Sequence, residues 1–262
     1  MRWDFTDDEF KVLCNRFLDG RVPVPLAYTS RTKSLDAYER ELSELEAGLR
    51  DRLDAGLGAL FEVIENPEVF VISGTWCDSD IDNPHKRIRV HGARRGWRAV
   101  LITQEPGETI YHSGGFTVTE CEPADLPGLM VAQLPAAEAA SGPALPMVFE
   151  PPERDPYEIR QSLAFDSFDD TTETRSHAFW SKPAEWTGMV RAMQGRSIFG
   201  PRGAIETTLM WRDLPDDGRY LIDFDESEVR AVGTSAERLA ERIGQHVDRV
   251  LQHMDARGDQ RV

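Results

Sequence analysis

Three groups of residues have the types that bind metals or do redox chemistry, and in each the spacing argues against a site. His246 and His253 stand two helical turns apart near the C-terminus. A zinc pair on a helix sits at i and i+4, so the wider spacing predicts a polar surface row. Asp78-Ser79-Asp80-Ile81-Asp82 imitates the opening of a calcium loop. Such a loop needs glycine at its sixth position and a bidentate glutamate at its twelfth. Those positions hold Asn83 and Arg89, so a solvated loop is expected. Cys14, Cys77 and Cys121 are widely spaced and odd in number. They form neither a CxxC motif nor a disulfide framework and fit a reducing compartment.

Nucleophile and phosphate motifs are missing as well. The sequence contains no G-x-S-x-G, no Walker loop and no G-x-G-x-x-G. Gly114-Gly115 and Gly200-Pro201-Arg202-Gly203 fall between expected strands, where glycine supplies positive φ. With 46 acidic residues, no single carboxylate pair stands out as an acid and a base. No catalytic residue, metal or cofactor is assigned.

Charge narrows the partners. The chain has 30 Lys+Arg against 46 Asp+Glu, a formal net charge of -16, which repels phosphate and speaks against nucleic acid. Its 40% hydrophobic and 9% aromatic residues are enough for a folded core. No apolar run approaches the ~20 residues of a membrane span, and the acidic start Met1-Arg2-Trp3-Asp4 lacks the layout of a signal peptide.

The elements that must position any surface follow from periodicity. Thr6-Asp7-Asp8-Glu9 has capping-box spacing, with Phe10, Leu13, Cys14, Phe17 and Leu18 on one helix face and Gly20 beyond it. Pro23 and Pro25 hold an extended connector. A long leucine stripe from Leu35 through Leu42, Leu49, Leu53 and Leu60 predicts a helix packed on a sheet, and a short helix runs to Asn66-Pro67. The period then becomes two. Val69–Trp76, Arg87–Arg94, Trp97–Gln104, Thr109–Ser113 and Phe116–Glu122 read as antiparallel strands, with a short helix after Asp125. Helical pieces are expected over 156–165 and 183–194. The last helix carries Leu239, Ile243, Val247, Val250 and Met254 on one face behind a capping box at Thr234–Glu237.

Arg95-Gly96 and its strand, turn, strand, strand, helix succession reappear at Arg202-Gly203. The expected fold is therefore α+β. A largely antiparallel central sheet is built from two pseudo-two-fold-related β-β-β-α halves, with flanking N-terminal helices and a C-terminal helical bundle. The halves are 1–134 and 151–262 of one domain, joined by a crossover over 135–150.

Two surfaces remain. The Trp76–Lys86 connection is long for a hairpin and mixes Trp76, Cys77 and Ile81 with acids; long loops are often functional. Phe179-Trp180, Trp186, Met189 and Met193 form an aromatic and methionine group suited either to a core or to an adaptable surface. The opening Trp3-Asp4-Phe5-Thr6-Asp7-Asp8-Glu9-Phe10, the connector Arg21-Val22-Pro23-Val24-Pro25-Leu26 and the hairpin Trp211-Arg212-Asp213-Leu214-Pro215-Asp216-Asp217-Gly218-Arg219-Tyr220 complete the pattern. In these the chain resembles the EspG family of ESX (type VII) secretion chaperones.

The resemblance implies a cytosolic, non-enzymatic chaperone without cofactor. It would bind the helical tip of the PPE protein in a PE–PPE heterodimer, keep it soluble and direct it to its secretion system. The family's contact surface falls here on the loop holding Trp76, Cys77, Asp78, Asp80, Ile81 and His85, on outward positions of the central strands, and on Phe179, Trp180, Trp186 and Met189. The free protein is expected to be a monomer that does not insert into membranes. The rival readings are an enzyme or small-ligand binder with a pocket between sheet and helices, and a homodimer through the cluster near Trp180.

Overall fold

Thr6 opens the first helix as its spacing predicts. Its hydroxyl accepts the Glu9 amide at 3.2 Å, and the Glu9 carboxylate accepts the Thr6 amide at 2.9 Å. The computed structural model describes residues 1–49, 55–148, 172–197, 200 and 203–258. In chain order these form β1 (Arg2–Phe5), α1 (Asp7–Phe17), α2 (Leu35–Leu49), α3 (Ala55–Glu65), β2 (Val69–Trp76), β3 (Arg89–Arg95), β4 (Arg98–Pro106) and β5 (Ser113–Cys121). Then follow α4 (Leu126–Val131), β6 (Leu145–Pro146), α5 (Thr172–Ser181), β7 (Trp186–Gln194), β8 (Glu206–Leu214), β9 (Gly218–Asp223), β10 (Arg230–Gly233) and α6 (Ala236–Ala256).

All ten strands belong to one sheet in the order β1-β5-β4-β3-β2-β7-β8-β9-β10-β6, every neighbouring pair antiparallel. The order is the same read outward from β2 or from β7. Each member of that central pair opens a run of four consecutive strands, β2–β5 and β7–β10, and a helix follows each run.

Several expectations change. The stretch 183–194 is not helical: residues 186–194 form β7, a central strand paired on both sides. Each half therefore has one strand more than the β-β-β-α unit. The counterpart of β3 is β8, not the strand read from Arg95-Gly96. Val69, Arg89 and Ser113 begin strands at one constant spacing from Trp186, Glu206 and Arg230, longer than the spacing of Arg95 to Arg202. Thr109–His112 is a turn, and β1, too short and charged to show in the sequence, pairs with β5. The leucine stripe is divided between α2 and α3, and Leu35 stays exposed. The C-terminal helical part is α6 packed with α4. Ser235 rather than Thr234 caps α6, accepting the Arg238 amide. The helix expected over 156–165 and the stripe residue Leu53 lie outside the described residues.

Alternation decides which helix covers what. On one face of the sheet, Val69, Val71, Val190, Ala192, Leu209 and Trp211 are buried under Leu239, Ile243, Val247, Val250 and Met254 of α6 and under α4. On the other face the cover is split. Phe10, Leu13, Leu57, Leu60 and Phe61 of α1 and α3 pack on Ala93, Val100, Ile102, Phe116 and Val118, with the Phe10 and Phe116 rings stacked at 4.2 Å. Phe179 of α5, with Ala140 and Met147, packs on Leu214, Tyr220, Ile222 and Ala231.

Candidate docking surface

Between these two covers lies a strip of sheet with no helix over it among the described residues. Strand β2 alternates buried and half-buried residues along its whole length. Its buried side faces α6. Its other side carries Phe70, Ile72, Gly74 and Trp76, directly opposite Met193, Arg191, Met189 and Thr187 of β7. Met210 and Thr208 of β8 continue the row opposite Met189 and Arg191. Phe70, Ile72, Trp76, Met189, Met193 and Met210 are all half-buried, so the floor is apolar but reachable. Its charged members, Arg191 and Glu206, pair with each other at the surface.

The walls come from the two halves. On the first side His91 of β3 stacks on Phe70, and its Nδ1 donates to the carbonyl of Val24 in the connector at 2.7 Å. Val24 itself is 56% exposed and stands above this contact. Burial pushes the His91 imidazole down to about 4, against the pull of the Val24 carbonyl, so it is neutral near pH 7. On the second side Phe179 is buried and Trp180 half-buried at the end of α5, their rings edge to face at 5.4 Å.

The end of the strip is closed by the loop from β2 to β3. Arg212 of β8 is 2% exposed and its guanidinium gathers this corner. It donates to the Asp78 carboxylate at 2.7 Å and to the carbonyls of Phe179 and Lys182 at 2.8 and 2.7 Å. Asp78 also accepts the Ala184 amide at 3.0 Å and the Thr187 hydroxyl at 2.9 Å. Partial burial opposes its charge, but the Ala184 amide, Arg212 and Thr187 hold the Asp78 carboxyl below the usual range. Beyond this root the loop makes tight turns through Asp80 and Asn83 and leaves Ile81 56% exposed.

The residues singled out in the sequence are thus not one patch. Met189 and Trp76 lie in the strip. Asp80, Ile81 and His85 are exposed on the loop, while Cys77 is buried at its root and Asp78 is tied to Arg212. Phe179 and Trp180 form the second wall. Trp186 packs on the α6 face instead, with the Lys86 ammonium 4.6 Å from its ring centre. Phe70, Ile72 and Met210 were missed. A readable signal existed: a strand whose outward positions are Phe and Ile has no polar face to give to water.

Two other clusters explain themselves structurally. His246 is buried, correcting the expected surface row, and its Nε2 lies 2.8 Å from the Asp223 carboxylate. With Asp225 it forms the one group of metal-ligand type among the described residues. Arg242 already pairs with Asp223 at 2.5 Å and Arg249 approaches Asp225 at 3.9 Å, so the charges are opposed from within the fold. In the hairpin Trp211-Arg212-Asp213 to Gly218-Arg219-Tyr220, Gly218 takes a φ of +130° and a Cβ there would meet the Glu138 carbonyl at 2.6 Å. That hairpin holds the crossover down.

The strip is an apolar surface whose charged members, Arg191 and Glu206, answer each other; apolar patches of this kind suit contact with another protein. The EspG family model matches residues 6–245, and the chain belongs to the EspG family. Among solved structures it is similar to the Mycobacterium tuberculosis type VII secretion system chaperone EspG5, determined in complex with a PE25-PPE41 dimer. The TM-score is 0.56 at 15% identity, over 97% of this chain and 96% of that one, a likeness of fold. A search of curated proteins gives no match.

Proposed function

We propose that this protein is a secretion chaperone that binds a PE–PPE heterodimer by the apolar helical tip of its PPE subunit, in the cytoplasm and without catalysing a reaction. The observation that carries this reading is the half-buried row Phe70, Ile72, Met189, Met193 and Met210 between two covered regions of one sheet, with Phe70 and Met210 packed against those covers at its margins. A helix tip laid along it would bury its apolar side chains against a floor of matching character, with Val24 and Ile81 adding apolar surface nearby. A stable complex of this kind buries about 1,600 Å² in all. Family membership and the fold shared with EspG5 support the choice of client. No helix among the described residues is long and apolar enough to cross a membrane.

A pocket enzyme has less support. A cleft of about 290 Å³ lies between α6 and the β9–β10 margin, but its Asp223, Glu226 and Arg242 pair with one another. Co-expression with PE–PPE pairs from the same genome tests the proposal. The expected result is a stable 1:1:1 complex by size exclusion with light scattering; no complex with any pair would defeat it.

A further inference from the structure

We propose that Arg212 and Asp78 are positioning residues that make the 77–88 loop and the end of α5 one unit, so that the exposed tip of the loop and the second wall of the strip meet a client in a fixed relation. This rests on the docking reading above.

The pair joins three segments distant in the chain. Arg212 lies on β8, Asp78 begins the loop, and the carbonyls of Phe179 and Lys182 end α5. The loop and the α5–β7 turn are further tied by reciprocal bonds. The Ala184 amide donates to the Asp78 carboxylate at 3.0 Å, and the Asp78 amide donates to the Ala184 carbonyl at 3.4 Å. The Arg212 guanidinium also lies 5.2 Å from the ring centres of both Phe179 and Trp180. The charged anchor is at the root, and at the far end Lys86 lies 4.6 Å from the Trp186 ring centre. From Asp80 onward the loop's bonds are its own, apart from its return to β2 at Thr75. Ile81 is therefore held between the return at Thr75 and a root tied by Arg212 to the end of α5. A charge used only to fill a buried corner would need no second segment; this one reaches both sides of the strip's end.

The test uses the full chain and a PE–PPE pair. Asp78→Glu keeps the charge but lengthens the tether by one methylene. Thr187→Val removes one hydroxyl donor without stranding a buried charge, and Thr187→Ser restores it. The expected result is faster amide exchange at 77–88 and at 179–184 together, with exchange in β9 unchanged. Client dissociation should accelerate at least tenfold for Asp78→Glu and by a smaller factor for Thr187→Val, with Thr187→Ser slower than Thr187→Val because its hydroxyl is restored to Asp78. Exchange rising in the loop alone, or in neither segment, overturns the coupling whether or not a client binds. Coupled exchange with unchanged client dissociation overturns the role in binding. A wild-type chain that binds no pair defeats the docking reading, and the exchange result still decides the coupling.

Discussion

Arg219 and Asp213 face each other as directly opposite residues of β9 and β8, with Nε to Oδ1 and Nη2 to Oδ2 both at 2.7 Å. Both are buried, the Arg219 guanidinium lies 4.4 Å from the Trp211 ring centre, and its Nη2 also donates to the Pro135 carbonyl. A two-pronged pair of this kind adds fixed geometry to the attraction of its charges. Asp213→Ala would strand the guanidinium and cost about 3–5 kcal/mol. Arg219→Lys loses the fork and should also be strongly destabilising. Urea midpoints should fall with unchanged slope.

The neighbouring Trp211 is fully buried against Gly188 on β7. A Cβ at Gly188 would stand 2.2 Å from the Trp211 ring, which has nowhere to go beneath α6. Gly188→Ala should therefore destabilise by about 1–3 kcal/mol, the cost of overpacking a filled core. Thermal unfolding measures the loss, and loss of near-ultraviolet tryptophan dichroism would locate it.

His91 gives the fold an acid sensitivity with a defined window. An unfolded imidazole takes up its proton near 6.5, whereas the buried one resists until about 4. The unfolded chain thus binds more protons between these values, and stability is complete above 6.5 and declines as the pH falls toward 4, by about 3 kcal/mol in all. Asp78 and Asp223 act lower: their depressed carboxyls contribute fully above 3.8 and lose that contribution only below it. His91→Asn should flatten the decline between pH 6.5 and 4 in urea titrations while leaving the more acidic limb in place.

Binding and stability should separate in the strip. Met189→Glu places a charge on a half-buried apolar floor, where a docked client would have to desolvate it. The expected loss is about 100-fold in client affinity, or more, with a small shift in unfolding temperature. Trp97→Ala is the comparison: Trp97 is 76% exposed at the β3–β4 turn, away from the strip, and calorimetry should find its affinity unchanged.

Much of this architecture was legible because alternation and capping are local signals. Thr6 with Glu9, the two-residue period from Val69 onward and the apolar stripe of α6 each came from short-range patterns. Strand β7 misled for the same reason. Trp186, Met189, Val190 and Met193 fall on one helical face, and Met, Arg, Ala and Gln are good helix formers. Pairing on both sides overrides that preference, since Val190 and Ala192 are wanted under α6 and Met189 and Met193 on the other face. The loop and Met189 could be singled out from sequence. Arg212 as the partner of Asp78 could not, for no pattern within a window links residues that far apart. The hairpin from Trp211 to Tyr220 proved to be a clamp on the crossover.

The ends of the sheet are blunt: β1 has 4 residues and β6 has 2, so little bare backbone is left for another copy to zip onto. The open strip lies instead at the middle, where the main chains of β2 and β7 are already spoken for by their neighbours. A guest seated there is gripped by side chains alone. A client docked on the strip could leave without unstitching a single rung of the sheet.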